Sequence, residues 1–104
     1  MRTDPEGVYY KEGRFNPAVL SVRAAQYLAQ QRVKMVGIDS PTIENMEICD
    51  GEIHRLLLNA GIAILEGLYL EHAKKEHYEI SALPLFLIGE NGSPCRAVLM
   101  EKES

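Results

Sequence analysis

The sequence predicts an α/β domain built on a mixed, twisted sheet with flanking helices. Two stretches of helical period alternate with short β-branched runs, and the second of these helices passes directly into a stretch of period two. The last third carries two strand-like segments around an Asn-Gly turn signal. The resulting order is helix, strand, helix, strand, strand, strand, which calls for both parallel and antiparallel neighbours. With 104 residues, 46% of them hydrophobic, the chain is expected to form a single domain over 1–104. A chain of this size buries roughly two-thirds of its unfolded surface and has no room for a second core.

Residues 1–13, "MRTDPEGVYYKEG", mix turn formers with charge, so an irregular segment is expected over 1–15. Asn16 as N-cap and Pro17 at the first helical position then open a helix to about Gln31, with Leu20, Ala24, Tyr27 and Leu28 on its buried face. "VKMVGID", Val33 to Asp39, is a strand that the following Ser-Pro ends. An acidic loop leads to the second helix. Asp50 is its expected N-cap, Glu52 lies in the favourable first turn, and Ile53, Leu56, Leu57 and Ala60 recur at helical spacing. Gly61 stands where a left-handed residue ends the helix. From Ile62 to Leu70 the period is two, with Ile62, Ile64, Glu66, Leu68 and Leu70 sharing one face. "HYEISALPLFLIG" is a further strand broken or bent at Pro84, and "CRAVLM" pairs back on it beyond "ENGSP".

Composition excludes several classes of function. The net charge of −4 is made of both signs scattered along the chain, with no basic stripe, which argues against nucleic acid or an anionic membrane as partner. Small molecules and proteins remain. There is no signal peptide and no apolar run of membrane-spanning length, and Cys49 and Cys95 form neither a CxxC nor a disulfide framework, so a reducing cytoplasm is the expected compartment.

Two polar residues stand out against apolar surroundings. Glu66 is flanked on its own strand face by isoleucine and leucine, and a bare carboxylate buried there would cost several kcal/mol. It must be protonated, paired, hydrogen-bonded or bound to a metal. His54, among the leucines of the second helix, is a candidate partner, although a histidine in that setting is more often a packing residue than a ligand. Asp39 ends a strand before Ser-Pro, where an Asx-type turn is the commoner role. His72 and His77 flank "AKKE" in a solvated turn, and the two cysteines read as small core or loop residues. By pattern alone the chain is a small α/β domain with a His/Glu pair.

The segments "VKMVGIDSPTIE", "IHRLLLNAGIAILEGLYL" and "YEISALPLFLIGENGSPCRAVLME" together resemble the C-terminal half of the metal-dependent cyclase family, the group that includes bacterial kynurenine formamidase (arylformamidase). The resemblance runs in order from about Asn16 to Glu101 and includes "GID", a histidine followed twelve positions later by the glutamate of "ILEGL", "ALPL" and "SPxRAVL". It implies the swivelling α/β fold of that family. It also implies that His54 and Glu66 are metal ligands, for zinc or manganese. In the family a metal-activated water attacks the formamide carbonyl of N-formylkynurenine, releasing formate and kynurenine in tryptophan degradation.

One departure is large. The family motif HxGTHxDxPxH, which supplies the other metal ligands and the acid/base histidine, has no counterpart in these 104 residues, and Met1-Arg2-Thr3 aligns with an "RT" in the interior of full-length members. The chain is therefore expected to be a fragment, half of a split protein, or a remnant, with no catalytic residue of its own. A metal is expected only where a separate N-terminal-half chain or another copy supplies the missing ligands. Two classes of function follow: a hydrolase half-site inactive alone, or a non-catalytic domain that oligomerises through its uncovered sheet.

Overall fold

Ser21 caps the first helix among the described residues. In the computed structural model, which describes residues 1–4, 18–45 and 50–101, helix α1 spans Val22–Gln30, and the Ser21 hydroxyl accepts the Ala24 N–H at 3.1 Å. The expected start at Asn16 and Pro17 lies outside the described residues, as does most of the irregular segment. The buried face also differs: Ala25 is fully buried and Ala24 and Leu28 are partly so, whereas Tyr27 is 60% exposed. Leu20 is buried, but it precedes the helix and is tied by its N–H to the Ile43 carbonyl at 2.8 Å.

The chain divides into two compact units, Met1–His72 and Ala73–Ser104. The first is a βαβ arrangement. Strand β1 (Met35–Gly37) is followed in the chain by helix α2 (Glu52–Asn59), and strand β2 (Ala63–Leu65) returns parallel to β1, with Val36 opposite Ile64. Helix α1 packs against α2, and α2 against β2. The core is aliphatic: Ile38, Ile43, Ile53, Leu57 and Ile62 are each at most 1% exposed. Gly61 takes φ +75° and ends α2 as its position predicts.

Three expectations are corrected here. Asp50 does not cap α2. It adopts φ +47°, the N-cap is Gly51, and neither supplies a side-chain hydrogen bond. The strand expected over Ile62 to Leu70 stops at Leu65, because Gly67 turns to φ +66° and its N–H crosses to the Ser40 carbonyl at 2.8 Å. Leu68 then rejoins at the Ile38 carbonyl, at 3.1 Å. Finally, the expected mixed sheet consists, among the described residues, of two separate pairs, one parallel and one antiparallel. Parallel and antiparallel pairing are both present, in different units.

The second unit is a hairpin. Strand β3 (Tyr78–Pro84) and strand β4 (Cys95–Glu101) pair antiparallel from Tyr78↔Glu101 to Pro84↔Cys95. Pro84 ends β3, as a residue without an N–H should. The connection takes up residues 85–94 rather than a two-residue Asn-Gly turn, and the Leu85 N–H meets the Pro94 carbonyl at 3.4 Å. Lys75 pairs with Glu101 at 2.7 Å on the exposed surface. Cys95 is exposed on β4 rather than in a core or loop, and Cys49 lies outside the described residues.

The α2 register makes a direct test of this core. Leu57 is fully buried while its neighbour Leu58 is 58% exposed. Leu57→Ala should lower unfolding free energy by about 2–5 kcal/mol, and Leu58→Ala by no more than about 0.5 kcal/mol, in urea titrations followed by circular dichroism. Equal losses would refute the register.

Candidate functional site

The parallel pairing of β1 and β2 brings the chain just beyond each strand next to the N-terminus of α2. Asp39 follows β1, Glu66 follows β2, and His54 sits in the first turn of α2. His54 Nε2 lies 3.2 Å from Glu66 Oε2, so the sequence-predicted pair meets. Both side chains are partly open to solvent, at 28% and 30% exposure. Glu66 is therefore not the deeply buried strand carboxylate its apolar neighbours suggest. It lies one residue past β2, where its Oε2 also accepts the Ile43 N–H at 2.7 Å.

The residue that sequence reasoning passed over is Glu44. It is fully buried in the loop between β1 and α2, and its carboxylate faces the start of that helix. Oε2 accepts the Ile53 N–H at 3.3 Å, and Oε1 accepts the His54 N–H at 3.0 Å and meets His54 Nδ1. Glu44 thus takes the place of the capping side chain that Gly51 lacks. The loop is held in turn by Ser40 Oγ donating to the Thr42 carbonyl at 2.8 Å and Thr42 Oγ1 donating to the Glu44 carbonyl at 3.1 Å.

Asp39 is not aimed at this pair. Its carboxylate accepts the backbone N–H groups of Thr3 and Asp4 at 2.8 and 2.7 Å and the Thr3 hydroxyl. It anchors the N-terminal residues, whose first amine donates to the Gly37 carbonyl and whose Met1 carbonyl accepts from Asp39 N–H. His72 and His77 are exposed, as expected.

Burial is the largest single influence on Asp39 and Glu44, and it opposes their charge. Their hydrogen bonds outweigh it. For Asp39 these come from the Thr3 side chain and the Thr3 and Asp4 backbone, and for Glu44 from the His54 ring and the backbone of His54 and Ile53. Both carboxyls are held below their ordinary values.

The donor set suits a divalent ion. Ligand atoms bound at about 2 Å to one tetrahedral centre stand about 3 Å apart, and His54 Nε2 and Glu66 Oε2 meet that spacing. The other ring nitrogen of His54 rests on a carboxylate, the outer partner typical of ligating histidines. Among the described residues no group of three or more His, Cys, Asp or Glu side chains stands together in an arrangement able to hold a metal. Any ion held by His54 and Glu66 would need further ligands.

No family model matches the chain. It is 43% identical over 75 residues to the kynurenine formamidase of Geobacillus thermodenitrificans, covering 72% of this chain and 36% of that protein. Against the kynurenine formamidase of Bacillus cereus it is 37% identical over 101 residues, 95% of this chain and 47% of the other. Among solved structures it matches a potential metal-dependent hydrolase with cyclase activity at a TM-score of 0.79 and 34% identity, covering 88% of this chain and 45% of that one. A predicted metal-dependent hydrolase from Bacillus stearothermophilus matches at 0.76 and 35%, covering 83% and 42%. The fold is thus the cyclase-type α/β fold of those hydrolases, and the chain spans less than half the length of the relatives it matches. The chain belongs to the cyclase/kynurenine formamidase family. No helix among the described residues is long and apolar enough to cross a membrane.

The two depressed carboxyls fix a pH dependence. A group whose folded pKa lies below its unfolded value adds stability above the unfolded value, here 3.8 for Asp39 and 4.5 for Glu44. That stability is lost as pH falls through the folded value. The urea midpoint should therefore hold at neutral pH and fall once pH drops below about 4.5, and Asp39→Asn should be less stable at neutral pH with a shallower acid dependence. A midpoint that rises on acidification would contradict the assignment.

Proposed function

We propose that the chain supplies His54 and Glu66 to a divalent-metal centre, zinc or manganese, of an amide- or formamide-hydrolysing enzyme of the kynurenine formamidase type, and that it is inactive alone. The observation that carries this reading is the 3.2 Å approach of His54 Nε2 to Glu66 Oε2, with both side chains open to solvent. The bound ion would supply Lewis-acid activation of water and of an amide carbonyl. His54 offers a ring nitrogen. Glu66 offers a carboxylate steadied by the Ile43 N–H. Catalytic zinc sites use three protein ligands and an open position, so at least one ligand is needed beyond those the described residues bring together, and in this reading it comes from a chain carrying the family's N-terminal motif or from a second copy of this one.

Purified chain should not hydrolyse N-formylkynurenine above background with added zinc or manganese. Turnover abolished by Glu66→Gln would overturn that. Two ligands still give weak, pH-sensitive metal affinity, because His54 must be neutral to coordinate. Titration with zinc should shift the His54 ring resonances in NMR spectra, and His54→Ala or Glu66→Gln should each remove the binding. An unshifted ring at millimolar zinc would eliminate the site.

Association is supported by a separate observation. On the hairpin and its connection, Leu83, Phe86 and Ile88 are 67%, 92% and 86% exposed, large apolar side chains close together in sequence of the kind that association covers. The chain should form a dimer or larger oligomer at micromolar concentration. Light scattering at the 11.7 kDa of one chain would count against this.

A further inference from the structure

We infer that Glu44 is a positioning residue, which holds the His54 ring in the tautomer protonated on Nδ1 and so presents the Nε2 lone pair beside Glu66. The inference rests on the metal reading of His54 and Glu66 and adds the group that prepares the histidine for it.

Glu44 has no freedom to turn elsewhere. Its two oxygens are committed to the N–H groups of Ile53 and His54 at the start of α2, which fixes the carboxylate at the helix end independently of the imidazole. The His54 ring, projecting from the same turn, then places Nδ1 against Oε1. A carboxylate oxygen accepts, so Nδ1 donates.

Glu66 makes the opposite demand on the ring, since a carboxylate near Nε2 favours a proton there. Burial decides between them. Glu44 is fully buried, where water does not weaken its hold, whereas the Glu66 side chain is 30% exposed and its Oε2 is already engaged by the Ile43 N–H. The side chain of a free histidine prefers its proton on Nε2, so the Nδ1 form would be a signature of Glu44 rather than of the histidine itself. One carboxylate therefore starts the helix and selects the tautomer, so the ligand atom is ready before any ion arrives.

The test reads the tautomer without metal. Long-range proton–nitrogen correlation spectra of the isotopically labelled, metal-free chain at about pH 8.5, above the ordinary histidine range, should show His54 protonated on Nδ1. Glu66→Gln should keep that signature while losing zinc binding. Glu44→Gln should shift the ring towards the Nε2 form and weaken zinc binding by on the order of ten- to a hundredfold. The inference fails if native His54 carries its proton on Nε2, or if folded Glu44→Gln keeps both tautomer and affinity. Should Glu44→Gln not fold, the native tautomer alone decides. Native chain with the Nδ1 signature but no zinc binding would sink the metal reading and leave the role of Glu44 intact.

Discussion

The structure of the first unit turns on one buried carboxylate. Glu44 is removed from water, and a charge so placed must be answered by donors. Those donors are two N–H groups of the first turn of α2 and the His54 ring. The dependence runs both ways. Gly51 gives α2 a left-handed entry but no capping atom, so the helix start is satisfied from the preceding loop. That loop is shaped by Ser40 and Thr42 and tied to the chain just ahead of α1 through the Leu20–Ile43 hydrogen bond. Loss of Glu44 would leave two helix donors facing an apolar interior of Ile43, Ile53 and Leu57.

Order and type of elements were legible because they rest on periodicity. The change from helical to alternating spacing around Gly61 marks α2 and β2, and Pro84 marks the end of β3. Boundaries were less so. Helix α1 begins at Val22 because Ser21 offers a cap there, and β2 ends early because Gly67 takes a positive φ, which alternation of side chains does not announce. Tyr27 shows the same limit. It occupies a helical position that could face inward, but the aliphatic core is closed by smaller residues such as Ala25.

The candidate site was half legible. His54 and Glu66 stood out as polar residues in apolar runs, and the family resemblance set them together, but their surroundings were misjudged. Glu66 appeared to need rescue from burial, whereas it is part-exposed and bonded to the Ile43 N–H. Glu44 was invisible for the converse reason. In "SPTIEN" an acidic residue reads as solvated loop, and only tertiary structure turns it inward onto a helix start nine residues away in sequence. Hydrophobic pattern reports what an element buries and is silent on what a loop side chain reaches.

Topology explains why these groups share one end of the unit. In a parallel βαβ arrangement both strands finish on the side where the connecting helix begins, so chain beyond the strands meets free N–H groups of the helix. Three carboxylates collect there, from Asp39 after β1, Glu44 in the loop and Glu66 after β2. Their roles are then sorted by the donors each finds. Asp39 is saturated by Thr3 and Asp4 and has become an anchor. Glu44 is saturated by the helix and its histidine. Glu66 accepts one backbone N–H and stands beside His54 Nε2, with no other hydrogen bond among the described residues, and its side chain reaches solvent. Of the three it alone keeps coordinating capacity, and an ion placed there would gain a ligand without depriving the fold of a bond it depends on.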